Sequence, residues 1–436
     1  VNVRLFAILL FATSMFASQP ISLHPVGPTS ADRISIHIPV NCTVSDQTVT
    51  RTGSLIEIAF HIGAVCDPPV TFAHAVDLEP LPPGQYNVTV NAGGPQLYAS
   101  GRFVVRNAGP TPFAVHPFAM LQQPSGLRMW IEPVSGQEIC PGGKCDTVSI
   151  TVGDRAVSGI TANGVAATFD APALLPGLYD VTLFRNGVTT TSPAAVYVFD
   201  RPDPSVFERV LFPVLDSVSG VNGSRWMTQF TIANPRPWSV ENYNTVFPIV
   251  CLGYPCGERL LPRHRETFEG LGYPRGVALL VPRPEAKDLS FSLRVRDRSR
   301  EAEGFGTEVP VVREHDMFRD TTMTLLDVPL DPRYRVKIRM YAFEPFFHPD
   351  DQNWRIVTVR QSGRSEQTVF RHRQCSSCAT EPVYLDVDVP AGQAGESATI
   401  YITPPLESFG WAFASVTNNA TQQVTIVTPD GEGGEP

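Results

Sequence analysis

The stretch EICPGGKC, residues 138–145, sets two cysteines around Pro141, Gly142 and Gly143. It is one of four such pairings, because all eight cysteines have a near neighbour: Cys42 with Cys66, Cys140 with Cys145, Cys251 with Cys256, and Cys375 with Cys378. Thiols so spaced can close disulfides, ligate zinc or carry out dithiol exchange. Zinc would require Cys251 and Cys256 (CLGYPC) to meet Cys375 and Cys378 (CSSC), and only the C-x2-C half has good zinc spacing. Dithiol exchange at CSSC would need a thioredoxin-like βαβ setting, whereas its flanks FRHRQ and TEPVYLDVDVP read as strands. Local disulfides are the simplest geometry, so four intradomain bridges and no bound metal are expected, with an exchange of partners between the last two pairs left open. Loop-closure entropy gives about 2 kcal/mol for a six-residue loop and about 3.5 kcal/mol for the loop from Cys42 to Cys66.

A second set of candidates is cationic. Arg294 and Arg296 alternate with Phe291, Leu293 and Val295, while Arg335, Lys337 and Arg339 alternate with Tyr334, Val336, Ile338 and Met340. A strand sends successive side chains to opposite faces, so each segment presents a basic stripe. Such a stripe either pairs with acids such as Asp386 and Asp388 across a solvated sheet, or holds the carboxylates or sulfates of a polysaccharide in arginine forks. The first is the simpler. Trp226, Trp238, Trp354 and Trp411 are expected in cores rather than on a sugar platform. His348, Asp350 and Asp351 in HPDDQNW, and the His315–Asp316 pair, are metal-ligand types without the order of a calcium loop.

The chain has no G-x-S-x-G elbow, no H-E-x-x-H, no glycine-rich phosphate loop and no cysteine left over as a nucleophile. No catalytic residue and no cofactor is assigned. A carboxylate pair for glycoside chemistry would meet only in the fold, and a polysaccharide-active enzyme is carried as a further alternative.

These residues must be positioned by elements that composition already restricts. At 436 residues the chain exceeds one hydrophobic core, and its 41 prolines and 18% charged residues suit short strands joined by turns. The first residues, VNVRLFAILLFATSMFASQP, combine Arg4, an apolar run from Leu5 to Phe16, and small residues at Ala17 and Ser18. That is the pattern of a secretory signal peptide over 1–18, and the run is shorter than the roughly 20 apolar residues of a membrane span. Val1 reads as a GUG start, a bacterial feature. The net charge of −9 is spread along the chain and offers no basic footprint for nucleic acid. The final residues PDGEGGEP contain neither a sorting motif nor an apolar anchor.

An internal repeat gives the scale of the modules. LPPGQYNVTV at 81–90 recurs as LPGLYDVTLF at 175–184, with Tyr86, Val88 and Val90 alternating like Tyr179, Val181 and Leu183. Gly84 and Gly177 are separated by the length of one immunoglobulin-like sandwich. Within the second repeat, Val152-Gly153-Asp154, Ala171-Pro172, Pro176-Gly177 before a Val-Thr-Leu strand, and a final Val-Tyr-Val-Phe strand resemble an IPT/TIG domain over about 108–203. That resemblance implies an immunoglobulin-like spacer or binding module of exported bacterial proteins, without catalytic residues. The family's glycine-rich opening is replaced here by PFAMLQQPSGLRMWIEP. After the PDPS linker at 202–205, SVSGVNGSRWMTQFTIANPRP, FGTEVPVVREHDMF and WAFASVTNNATQQVTIVTP are similar to segments of uncharacterised secreted bacterial proteins.

The expected protein is all-β, a tandem array of immunoglobulin-like β-sandwich domains at 19–107, 108–203, 204–318 and 319–428, followed by a disordered tail at 429–436. It is expected to be secreted, in the periplasm or at the cell surface, with no membrane span in the mature chain and no nucleic-acid partner. The expected role is non-catalytic binding or adhesion toward an extracellular protein or glycan. The alternative is a carbohydrate-binding accessory protein for acidic glycans, using Arg294, Arg296, Arg335, Lys337 and Arg339.

Overall fold

A computed structural model describes residues 19–430 apart from 41, 64–71, 94–96, 123–125, 134–137, 141–146, 200–202, 204, 215, 221–222, 239, 245–256, 271–275, 300–304, 320, 344–352, 372–382 and 406–407. The signal-peptide segment, the HPDD run, the last residues of the tail and six of the cysteines lie outside the described residues. Of the other two, neither Cys42 nor Cys140 is a free thiol. Among the described residues no helix is long and apolar enough to cross a membrane, and no group of three His, Cys, Asp or Glu is placed to hold a metal.

The architecture is all-β, with the sheets stacked in pairs around apolar cores. In the first pair, strands ordered Gln19–Pro20, Leu97–Val105, Gly84–Ala92, Leu55–Ile62 and Val44–Thr52 face Ser22–His24, Ile34–Val40 and Phe72–Leu78. In the second, Ala119–Leu121, Val188–Phe199, Gly177–Arg185, Val148–Val152 and Arg155–Ala156 face Ser158–Ala162, Ala167–Asp170, Arg128–Pro133 and Phe113–His116. The third sets Gly257–Leu260, Val240–Asn244, Val277–Pro282, Phe207–Phe212 and Val312–Arg313 against Ser217–Ser219, Arg225–Asn234, Ser290–Asp297 and Thr307–Val309, with His264–Glu269 beside Arg225–Asn234. The fourth sets Phe318–Arg319, Phe409–Asn418, Tyr334–Phe343 and Val383–Val389, with Val424–Val427 beside Phe409–Asn418, against Met323–Pro329, Ser397–Thr403, Asn353–Arg360 and Ser365–Arg371.

The sequence repeat is a repeated local device. Gly84 and Gly177 each begin a strand, and two residues on a tyrosine turns back to a carbonyl four positions upstream. Tyr86 donates to Pro82 and Tyr179 to Leu175, each at 2.8 Å. This is the tyrosine corner of immunoglobulin-like sandwiches, which fixes how the chain enters the strand. The alternate positions Val88, Val90, Val181 and Leu183 are buried, as the period-two pattern requires.

The sandwiches do not sit as beads on a string. Strand 207–212 is buried on both faces, and so is strand 277–282. Val210, Phe212, Val277 and Leu279 fill the third core. The alternating residues face other sandwiches: Leu211 and Ala278 join the fourth core, while Phe207 and Leu280 pack with Val104, Phe118, Tyr197 and Phe199 from the first two. Burying each large side chain contributes about 1.5–3 kcal/mol, so the third sandwich acts as the hub.

Two described residues of the PDPS segment belong to the same packed region. Asp203 and Ser205 are buried, Ser205 donates to Asp203 through both its amide and its hydroxyl, and the Val104 amide donates to the Ser205 hydroxyl at 2.9 Å. Polar linker residues are buried here because each finds a partner.

The one α-helix among the described residues, Arg283–Ala286, works at the same hub. Glu285 is fully buried and accepts from the Phe118 amide of the second sandwich. Arg283 bonds Glu314 at 3.3 Å, in the turn that leads from the third sandwich to the fourth.

Candidate functional site

Strand 334–343 changes character halfway along its length. Its first half alternates exposed or half-buried residues with buried ones, and from Met340 to Phe343 both faces are buried. Val336, Ile338, Met340 and Ala342 point into the fourth core. The outward row is therefore Arg335, Lys337, Arg339, Tyr341 and Phe343, and pairing with strand 409–418 sets Thr417, Ser415, Phe413, Trp411 and Phe409 beside it in the same order.

The aromatic half of this outward face docks on the third sandwich. Tyr341 donates its hydroxyl to the carbonyl of Pro213, and the Arg209 guanidinium lies 4.6 Å from the centre of the Phe343 ring. Arg209 and Arg283 both bond Glu314. Burial alone would raise the Glu314 carboxyl, but the two guanidiniums outweigh it and hold that carboxyl below its ordinary range. The Thr307 hydroxyl adds a bond to the Val424 carbonyl at 2.7 Å, across the same two sandwiches.

The polar half faces a cavity of about 350 Å3. One wall is Arg335, Lys337, Arg339, Phe413, Ser415 and Thr417, with Val424 and Ile426; the other is the third sandwich, through Asp216, Val218, Trp226, Thr228, Val295 and their neighbours. Volume places it at the small end of ligand sites, which run from about 300 to 1,000 Å3.

Trp226 lines the cavity with its indole against Gly220. A Cβ at Gly220 would come within 2.2 Å of the Ser224 hydroxyl and 2.7 Å of the Trp226 ring nitrogen, so glycine alone leaves the indole its seat. Val218 pairs with Trp226 across the strands and is 48% exposed, extending the apolar rim. The indole N–H has no partner among the described residues, and neither do the hydroxyls of Ser415 and Thr417. Asp216 accepts from the Ser217 amide at 2.7 Å, leaving carboxylate capacity toward the cavity.

The three cations are not equivalent. Lys337 Nζ stands 3.7 Å from Asp386 and 3.6 Å from Asp388, and Arg339 Nε stands 3.3 Å from Asp386. These are the cross-strand partners set by the register Lys337 with Asp388 and Arg339 with Asp386. Arg335 instead donates to the side-chain oxygen of Gln422 at 3.0 Å and forms no ion pair among the described residues. Gln422 is itself buried and tied to the Asn419 carbonyl at 2.7 Å, so the Arg335 side chain is held by a neutral, fixed acceptor.

Arg294 and Arg296 are not part of this site. Val295 between them lines the cavity, so the two arginines point to the other face, where Arg296 bonds Gln229 at 3.3 Å. Trp238, Trp354 and Trp411 are buried as expected, while Trp226 departs from that expectation as a half-buried cavity wall. His315 bridges Glu208 at 2.6 Å and Asp316 at 3.0 Å beside the Arg313–Glu208 pair, a structural ion network away from the cavity. The sequence pointed to the 335–339 stripe but not to Asp216, Trp226, Ser415 or Thr417, because the cavity joins segments distant in the chain. The available signal was the glycine-rich turn VSGVNGSRW, which leaves an aromatic residue at a strand start.

No family model matches the chain, and no curated protein matches it in sequence. Among solved structures it is similar to SGBP-B of a mixed-linkage glucan utilization locus of Bacteroides ovatus, in complex with a mixed-linkage heptasaccharide. That likeness has 11% identity and a TM-score of 0.17, covering 57% of this chain and 71% of the other. It is also similar to SGBP-B from a complex xyloglucan utilization locus in Bacteroides uniformis, at 10% identity and a TM-score of 0.15 over 94% and 99% of the two chains. Likeness at this level carries no functional inference.

Proposed function

We propose that this chain is an exported, non-catalytic glycan-binding protein whose site is the cavity between the third and fourth sandwiches. The observation that carries the reading is what lines that cavity. An indole and an apolar rim offer a surface for the C–H face of a pyranose, and around them stand an indole N–H and two hydroxyls without a partner among the described residues, a carboxylate and a guanidinium. Sugars need this combination, since each ring has an apolar face and a girdle of hydroxyls that must be satisfied on leaving water. Glycoside hydrolysis uses a pair of carboxylates, whereas the described cavity wall contributes Asp216 alone. This reading takes up the carbohydrate-binding alternative in place of the adhesion module.

The organisation that goes with this reading is a signal peptide at 1–18 and domains at 19–107, 108–203, 204–318 and 319–428, the second of them IPT/TIG-like. Local disulfides stiffen their loops. The test is a glycan array probed with the wild type and with Ser415→Trp, which fills the cavity. Retention of a glycan by the wild type and its loss in the folded variant supports the site; equal retention by both removes it.

A further inference from the structure

Within the glycan-binding reading, on which this step rests, we infer that the ligand carries isolated carboxylates, as a uronic acid does, and that Arg335 is the residue that selects it. The expected basic stripe is not a continuous cationic track. Lys337 and Arg339 stand against Asp386 and Asp388, so their charges are balanced within the sheet that bears them. A polyanion with a charge on every sugar, such as a heavily sulfated chain, would need several uncompensated cations in a row. Among the described residues the cavity wall provides one.

Arg335 is that cation. Its Nη2 is held by the Gln422 oxygen at 3.0 Å, a neutral acceptor that orients the guanidinium without cancelling its charge. The remaining N–H groups can take a carboxylate in the forked geometry that arginine favours. Beside it the register places Thr417 opposite Arg335 and Ser415 opposite Lys337, so two hydroxyls without a partner among the described residues stand on the same face. Across the cavity, Asp216 can accept sugar hydroxyls and repels a second anionic group, while Trp226 covers the ring. One fixed cation, flanking hydroxyls, a carboxylate opposite and an aromatic wall together describe a site for a monocarboxylated pyranose.

Calorimetric titration with otherwise neutral oligosaccharides that carry a single galacturonic, glucuronic, mannuronic or guluronic acid residue, each compared with its carboxyl-reduced counterpart, tests this directly. At least one acid is expected to bind at least 10-fold more tightly than its reduced form. Arg335→Gln should weaken that acid by about 10- to 100-fold and the reduced form by much less, because a hydrogen bond to a charged group is lost. Arg335→Lys should keep the preference in part. The double substitution Lys337→Gln with Asp388→Asn removes a balanced pair from the cavity wall and should weaken the acid by less than Arg335→Gln does, and dextran sulfate should not compete.

Equal binding of acid and reduced oligomers, or of neutral glycans alone, overturns the selection of a carboxylate while the glycan-binding reading stands. A loss in the double variant as large as that in Arg335→Gln, or competition by dextran sulfate, overturns the single-cation assignment in favour of a continuous track. Failure of every oligomer here, together with every glycan on the array, overturns both. Melting curves of each variant confirm the fold; Arg335 lies in the exposed first half of its strand, so its replacement leaves the core intact.

Discussion

The hydroxyl of Tyr341 in the fourth sandwich donates to the carbonyl of Pro213 in the third, at the aromatic end of the face that further along lines the cavity. This bond lies in a fully buried interface, and Tyr341→Phe leaves the carbonyl without its donor. The expected cost is about 1–3 kcal/mol in urea unfolding. A change below about 0.5 kcal/mol would mean that the carbonyl is satisfied elsewhere.

The same junction sets an acid limit. The Glu314 carboxyl is held below its ordinary range, so its folded-state value is depressed and its contribution is present at neutral pH. That contribution is lost as pH falls through the folded value. Glu314→Gln should therefore destabilise at pH 7, by about 3–5 kcal/mol if the two arginines are left unpaired, with the gap to wild type closing in acid. A gap that stays constant between pH 7 and pH 3 contradicts the assignment.

Asp203 has the opposite sign. Burial raises its carboxyl against the lowering effects of Ser205 and Arg102, so the folded state holds a proton more tightly than the unfolded chain. Stability from this group is present below the unfolded value and is lost as pH rises through the folded one. Asp203→Asn keeps an acceptor for Ser205 and should gain on the wild type as pH rises from 4 to 7. Melting temperatures across that range check it, and a variant that falls behind as pH rises would contradict the sign.

How much of this was legible in the sequence depends on the range over which each feature is encoded. Tyr86 and Tyr179 sit in a local motif, so the repeat announced both strands and, with them, the all-β class. Local alternation also put Arg335, Lys337 and Arg339 on one face. What alternation did not convey is why MYAF ends that strand with aromatic residues on the outward side. Tyr341 and Phe343 are outward in their own sandwich and buried only because another sandwich covers them. The same holds for Leu211, Phe207 and Leu280. Residues that bury two faces are marks of domain docking, and reading each domain as a separate sandwich hid the cavity that docking creates. Trp226 was read as core for the same reason.

Each tyrosine corner is a separate local device in a separate sandwich. Tyr86→Phe and Tyr179→Phe should each cost about 1 kcal/mol, and the double variant should cost the sum, since sites this far apart without shared partners add. Denaturant unfolding of the three variants measures it.

The cysteines are proposed to pair 42 with 66, 140 with 145, 251 with 256 and 375 with 378. Non-reducing peptide mapping of protein from an oxidising compartment should recover these four links. A link from Cys251 to Cys375 or Cys378 would staple the last two domains together, and free thiols at all four of those positions with one equivalent of zinc would replace two disulfides by a metal site.

The most direct measurement of the central proposal is calorimetric titration of a glycan retained on the array into the wild type and into Trp226→Ala. Trp226 forms the cavity wall at a half-buried position, so its truncation spares the cores and removes the sugar platform. The predicted result is a Kd weakened by about 30-fold or more with an unchanged melting temperature, the scale of an aromatic hot spot. The same Kd in wild type and Trp226→Ala would place the sugar elsewhere and contradict the cavity as the site.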